Sequence, residues 1–330
     1  MEKRSLYFSL FIALNINISF AEVNSVLSTE EINDHSRWIS VFEPLPRERA
    51  DLTKKYEVTQ ELLDYAIDPY EKARVEVDPD AGVTLLIFDV YVPTHAVTAP
   101  QTAPIGIMLT TNNIITFTNA KTNFVNGIIA NQLKILQKRG PITDKLNLVF
   151  PVLYRLSTNY FGPLRRVDQQ RQQIQRNLQK RTGRKAITEF MEIETGLVYM
   201  LTSLKGNVSL LEEFKRRFAS RMSTRQRNDL DDVIVEAQQG LEMAQMTSDV
   251  SERVSNAYSK VLDSDLNQTM KYLTIYSIVL SIPTIVSGFY GENVKLPLAD
   301  GDLSWLLTLG ITLVLMIACA IFLINRRWWK

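Results

Sequence analysis

Near its C-terminus the chain carries two apolar segments, each long enough to cross a lipid bilayer. Tyr272–Tyr290 (YLTIYSIVLSIPTIVSGFY) holds no charged residue over about the length needed to span the hydrocarbon. Leu303–Ile324 (LSWLLTLGITLVLMIACAIFLI) is also free of charge. Everything before about residue 260 is charged and water-compatible, apart from the first residues. A large region that favours water is therefore followed by a short membrane module.

Charge around the two segments sets an orientation. The tail Arg326-Arg327-Trp328-Trp329-Lys330 carries three positive charges, whereas the loop between the spans has Lys295 against Glu292, Asp300 and Asp302. The positive-inside rule puts the tail in the cytosol, and with two spans the N-terminal region lies there too. Trp305, Trp328 and Trp329 fall where interfacial aromatic anchors are expected. The expected location is the cell (plasma) membrane, as a multi-pass protein with both ends cytoplasmic. The opening MEKRSLYFSLFIALNINISFA imitates a secretory signal, with Lys3 and Arg4 before an apolar stretch and Ser19-Phe20-Ala21 as a cleavage-like site. We read it instead as an N-terminal extension or strand region. Asn15 and Asn17 interrupt the stretch, and a cleaved signal would invert the loop.

Composition excludes several classes. A formal net charge of +1 gives no global basic field for nucleic acid. One cysteine, Cys319, and two histidines, His35 and His95, exclude a disulfide framework and a Cys/His metal cluster. No GxxxxGK[ST] loop, nucleophile–base pair or His-rich motif appears, so neither an enzyme nor a resident cofactor is expected.

Residues 1–34 form the extension and 35–120 a mixed α/β unit. In that unit Arg37–Phe42 is strand-like, and Pro46–Ala66 carries two short helical patterns, the second opened by Thr59. Arg74–Val77 and Val83–Val92 flank the turn Asp78-Pro79-Asp80-Ala81-Gly82, a hairpin pattern. Pro104–Thr110 and Asn113–Thr118 repeat it across Thr111-Asn112. The expected fold class is α+β, an antiparallel sheet with helices on one side. Residues 121–227 are helical: Asn123–Lys138 up to Gly140-Pro141, then Thr143–Arg181 interrupted at Gly162-Pro163, then Arg184–Arg221. A last helix, 228–290, opens near Asn228-Asp229 and meets no proline until Pro283. At roughly sixty residues it would be about 90 Å long, so it must leave its domain as a stalk and become the first span. An external loop (291–302), the second span (303–324) and a basic tail (325–330) complete the chain.

Alternating steps of three and four along this helix trace one face: Asn267, Met270, Thr274, Ser277, Ser281, Thr284 and Gly288. All but Met270 are small or polar. The opposite face holds Ile275, Ile278, Val279, Ile282, Ile285 and Val286. Such segregation within a span points to a wet or closely packed inner face and a lipid-facing outer one; hydroxyls bonding within a helix pair would also produce it. Backwards, the walk continues through Asp263, Lys260, Asn256, Arg253 and Asp249.

Several motifs lie along this frame. Tyr290-Gly291-Glu292-Asn293 ends the first span, and Met270-Lys271-Tyr272-Leu273-Thr274 opens it. Asp68-Pro69-Tyr70-Glu71 leads to Arg74-Val75-Glu76, followed by strands at Leu85–Asp89 and Asn113–Phe117. Together they resemble the CorA family of divalent-cation channels, over most of the chain from about residue 35. Glu292 departs from the family pattern, which has methionine there.

The resemblance implies a funnel-shaped homopentamer conducting Mg²⁺ passively into the cell, closed by cytosolic Mg²⁺ bound between subunits. Its partners would be copies of itself, the lipid bilayer and divalent cations, with no nucleic acid. By position, Gly291 and Asn293 would select the hydrated ion, with Glu292 between them. Met270 and Leu273 would form the apolar gate, with Asn267 below it. Asp231 and Asp232 fall near a regulatory stalk acid of the family. Where a pore-facing acid is common, this chain has Asn256. The departure at Glu292 leaves Zn²⁺, Co²⁺ or Ni²⁺ as alternative cargo, and a non-conducting membrane-anchored scaffold or sensor as a third reading.

Overall fold

The strand Val83–Val92 (β4) is apolar at both parities, and this explains how the sheet is covered. Leu85 and Ile87 point to one face, Leu86, Phe88 and Val90 to the other, and all five are buried. An alternating strand tolerates water on one face; a continuous apolar run needs cover on both. The computed structural model describes residues 27–93, 100–180, 184–291 and 303–325, excepting the side chains of 177–180, 184–187, 304, 324 and 325. The signal-like opening, His95 and the tail lie outside these residues.

β4 sits in a six-stranded sheet with β1 (Leu27–Asn33), β2 (Ser36–Phe42), β3 (Arg74–Asp78), β5 (Gln101–Leu109) and β6 (Asn113–Thr118), in the order β1-β2-β6-β5-β4-β3. Both expected hairpins are present, β3 with β4 and β5 with β6. Asp78 holds the first turn by accepting from the Asp80 and Ala81 N–H groups, and Gly82 supplies a φ of 63°.

The expectation of an antiparallel sheet with helices on one side needs two corrections. β2 and β6 run parallel, from Arg37 beside Asn113 to Phe42 beside Thr118. A parallel pair needs a long crossover, and the whole segment 43–112 serves as one. Helices also cover both faces. On one, α1 (Pro46–Tyr56) and α2 (Gln60–Ile67) bury Leu52, Leu62 and Leu63 against Leu85, Ile87 and Met108. On the other, α3 (Phe124–Arg139), α4 (Leu146–Thr158), α6 (Arg184–Phe218) and the start of α7 (Thr224–Tyr290) enclose Phe88 and Val90. β1 also takes residues 27–33 from the expected extension into the sheet, antiparallel to β2.

The helical boundaries differ in two places. The break after α4 comes at Asn159-Tyr160, and Gly162-Pro163 falls in the first turn of α5 (Phe161–Lys180). Proline is tolerated there because first-turn N–H groups have no partner within the helix. α7 opens at Thr224, earlier than expected, behind a reciprocal cap in which the Ser223 N–H donates to Gln226 and the Gln226 N–H to Ser223. It runs for 67 residues, about 100 Å, straight through Pro283. Backbone contacts divide the chain into two units, residues 1–252 and 253–330. The second unit contains the rest of α7 and a further helix, α8 (Ser304–Asn325).

One polar device ties β4 to the helices. β3 ends opposite Ile87, so the backbone of Asp89 meets no strand on that edge. Asn207 of α6 fills the gap: its Oδ1 accepts from the Asp89 N–H at 2.9 Å and its Nδ2 donates to the Asp89 carbonyl at 2.8 Å. The phenol of the fully buried Tyr160 donates to the same carbonyl at 3.0 Å. Here a side-chain amide replaces a strand.

Burial pushes the Asp89 carboxyl up to about 6, against a hydrogen bond from Ser203 that favours ionisation. Its unfolded value is about 3.9, so between about pH 4 and 6 the native state holds a proton that the unfolded chain has released. Stability from this group is therefore lost as pH rises through that window, by about 3 kcal/mol in all. Urea unfolding should show Asp89→Asn more stable than the parent at about pH 7.5 and no more stable at about pH 4. A second expectation concerns packing of α2 on β5. A Cβ on Gly106 would lie 2.7 Å from the Ala66 carbonyl oxygen and 2.9 Å from its Cβ. Gly106→Ala should cost about 1–3 kcal/mol in the same assay.

Candidate conduction path

Two helices of the structure, α7 and α8, are long and apolar enough to cross a membrane. Along the apolar end of α7 the less exposed residues are Lys271, Ile275, Val279, Ile282, Pro283, Val286 and Tyr290, at helical spacing. α8 shows a matching line: Thr308, Ile311, Thr312, Met316, Cys319, Ala320 and Leu323. These are the faces the two helices turn to each other, and Leu323 borders one cavity with Lys271 and Ile275. The outer face expected from the sequence is thus divided. Ile275, Val279, Ile282 and Val286 lie on the α8 side, while Ile278 and Ile285 stay exposed.

The polar stripe lies elsewhere on α7. Asn267, Met270, Thr274, Ser277, Ser281, Thr284 and Gly288 are all exposed, and so is Leu273. α8 buries none of them, and only Asn267 shares a cavity with Leu323 of α8. At the apolar constriction expected below the span, Met270 is 60% and Leu273 58% exposed.

The hydroxyls of the stripe have a defined polarity. Thr274 Oγ1 donates to the Met270 carbonyl at 2.8 Å, Ser277 Oγ to that of Leu273 at 2.9 Å, and Ser281 Oγ to that of Ile278 at 2.7 Å. A hydroxyl has one proton to give, and each of these gives it to its own helix. What remains for a facing group is oxygen lone pairs. The stripe is therefore a ladder of acceptors, suited to a cation or to the hydrogens of its hydration shell.

At the end of the span the Gly291 N–H donates to the carbonyls of Ser287 at 2.9 Å and Gly288 at 3.2 Å, closing the last turn. A Cβ at Gly291 would lie 3.1 Å from the Ser287 oxygen, so glycine allows this tight finish. Tyr290 packs edge-to-face on Phe289, ring centroids 6.2 Å apart. Glu292 and Asn293 lie outside the described residues.

The two regulatory candidates face different neighbours. Asp231 forms an ion pair with Lys215 of α6 at 2.6 Å. Asp232 lines a cavity of about 480 Å³ with Asp229, Arg139, Arg225 and Tyr154. Tyr154 Oη donates to Glu236 at 3.1 Å, which raises the phenol above its ordinary value. A single chain thus brings Asp232 near Asp229 and Glu236 rather than near Asp231. Sequence reasoning passed over both; their spacing of three and four residues from Asp232 on one helix was the available signal. Among the described residues no group of three or more His, Cys, Asp or Glu side chains could hold a metal.

Comparison with known proteins matches this arrangement. A family model described as CorA-like Mg²⁺ transporter protein covers residues 33–327. The cobalt/magnesium transport protein CorA of Methanocaldococcus jannaschii is 23% identical over 297 residues, spanning 88% of this chain and 90% of that protein. The complete structure of the CorA magnesium transporter from the same organism superposes with a TM-score of 0.74 at 21% identity, over 90% of this chain and 92% of that one. Full-length CmaX superposes with a TM-score of 0.67 at 16% identity, over 91% and 92%. At these identities the superpositions establish a shared fold, a sheet-and-helix domain followed by a long helix and a C-terminal apolar helix. The family match runs from the end of β1 past the end of α8, and on that evidence the chain belongs to the CorA family of divalent-cation transporters.

Proposed function

We propose that this protein is a passive channel for Mg²⁺ uptake, driven by the membrane potential and assembled as a homopentamer around copies of α7. The observation that carries this reading is the acceptor ladder of Thr274, Ser277 and Ser281, which α8 leaves uncovered. Two spans per chain enclose no pore, so conduction requires several copies of that stripe around one axis. The sheet-bearing region and the basic tail would lie in the cytosol, with residues 291–302 outside.

The chemistry at each level follows from the ion. Mg²⁺ gives up its waters reluctantly. Carbonyls of Asn293 and of the Gly291 backbone can accept from those waters and so recognise the ion still hydrated. Glu292 would add a ring of carboxylates that concentrates cations at the mouth. Met270 and Leu273 would constrict the cytosolic side with apolar surface, closing the path by dewetting. Inward passage of two charges through 100 mV is favourable by about 4.6 kcal/mol, so no nucleotide is needed. Cytosolic Mg²⁺ would feed back at the stalk acids, where Asp232 faces an open cavity and Asp231 is held by Lys215.

A second cargo has specific support. The relative from Methanocaldococcus jannaschii is named for cobalt as well as magnesium, so Co²⁺ shares this path in our reading. Zn²⁺ or Ni²⁺ would fit less well, since the stripe offers oxygens and the one thioether of Met270.

Flux into liposomes holding an inside-negative potential and a Mg²⁺ indicator tests the path. Ser281→Leu should cut the rate roughly tenfold or more, a barrier increase of at least about 1.4 kcal/mol. Tyr276→Leu, at an exposed position off the stripe, should leave it unchanged. Equal rates for both would sink the assignment of the stripe. Glu292→Met should lower uptake at low external Mg²⁺ and weaken its dependence on ionic strength, as expected when a concentrating charge is removed. An unaltered salt dependence would count against that role.

A further inference from the structure

The second unit contains a cavity of about 550 Å³ beside the foot of the stripe, with Asn267 on its border. It lies between the part of α7 that precedes the first apolar run and the last turns of α8. Lys260, Asp263, Ser264, Asn267 and Lys271 line its polar part, and Ile275 and Leu323 its apolar part. Gln268 and Tyr272 stand between, with the Gln268 amide donating to the Tyr272 phenol at 3.2 Å. From Lys271 to Ile275 the lining changes from cationic to apolar within one helical turn, about 6 Å.

That order of surfaces matches one class of ligand. An anionic phospholipid presents a phosphate, then an ester zone that accepts hydrogen bonds, then hydrocarbon, over a similar distance. A soluble phosphate would use only the lysines, and an uncharged lipid only the apolar end. Lys271 is the last charged residue before the run Tyr272–Tyr290, so its ammonium stands where headgroup phosphates lie. Basic pockets between membrane helices on the cytosolic side are recurrent sites for such headgroups.

We propose that this groove binds the headgroup of an anionic phospholipid from the cytosolic leaflet, its phosphate on Lys271 with Lys260 behind, and an acyl chain along Ile275 and Leu323. The proposal rests on reading α7 and α8 as membrane spans with this end cytosolic. It gives the channel a dependence on lipid composition separate from its response to ions. Asp263 faces the same groove and sets a limit on how much negative charge it accepts.

Native mass spectrometry of the full-length protein in detergent, incubated with phosphatidylglycerol or phosphatidylcholine, tests the proposal without measuring flux. Failure of the channel reading would appear only in liposome flux and would leave this result intact. The parent should retain phosphatidylglycerol in preference to phosphatidylcholine, and added salt should erase the preference as the screening length shortens. Lys260→Gln with Lys271→Gln should weaken retention about thirty-fold, the loss expected for two lysines near an anionic surface. Lys260→Arg with Lys271→Arg should keep it. Equal retention of the two lipids, or a preference that salt leaves intact in the parent, would overturn the proposal whatever the variants do. Full competition by glycerol 3-phosphate would also overturn it, by identifying a soluble-phosphate site.

Discussion

Leu230, Val233 and Ala237 complete the apolar core against the sheet, while Tyr272–Tyr290 of the same helix is built for lipid. α7 can serve both media because a helix satisfies its backbone hydrogen bonds within itself, whatever solvent surrounds it. Only the side chains change along its length. Its first turns are stabilised by packing and by the Ser223–Gln226 cap. Its last turns are stabilised by apolar transfer and by the α8 face. A proline at 283 removes one hydrogen bond without ending the helix, as happens in spans where neighbouring groups compensate. Ser281 and Ser287, two residues before and four after it, donate to backbone carbonyls in the same stretch.

The division of α7 into faces gives the membrane part its chemistry. One face meets α8 through Ile275, Val279, Ile282 and Val286, and a second carries the hydroxyl ladder. Because Thr274, Ser277 and Ser281 have each given their proton to the backbone, these three offer acceptors only. This is why we favour a cation surrounded by water over a polar contact between helices, where a hydroxyl would donate across the interface. The contrast between Asp231 and Asp232 follows the same logic. Adjacent residues on a helix point about 100° apart, so one reaches Lys215 while the other opens to a cavity.

Much of the fold could be read locally. The bounds of β4 and β6, both hairpins, the end of α7 at Tyr290 and the two apolar helices all follow from runs of hydropathy closed by turn residues. The two-sided burial of the sheet was also legible, in the doubled apolar parity of Leu85–Phe88, though the expectation of helices on one side passed over it. Several features were not legible. The parallel partnership of β2 with β6 joins segments far apart in the chain, and periodicity within a strand reports burial without naming a neighbour. Asn207 acting as a surrogate strand for Asp89 depends on where β3 happens to stop.

The candidate site divides along the same line. Residue order alone was enough for the stripe, because a helix places every third or fourth residue on one face and a span that segregates hydroxyls from isoleucines declares two environments. It was also enough for the two apolar spans, since transfer to lipid depends on composition and length. Which face α8 occupies, which hydroxyl protons are already engaged and which stalk acid is paired depended on tertiary packing. Those are contests between neighbours of similar strength, and their outcome depends on distances that only the folded chain sets.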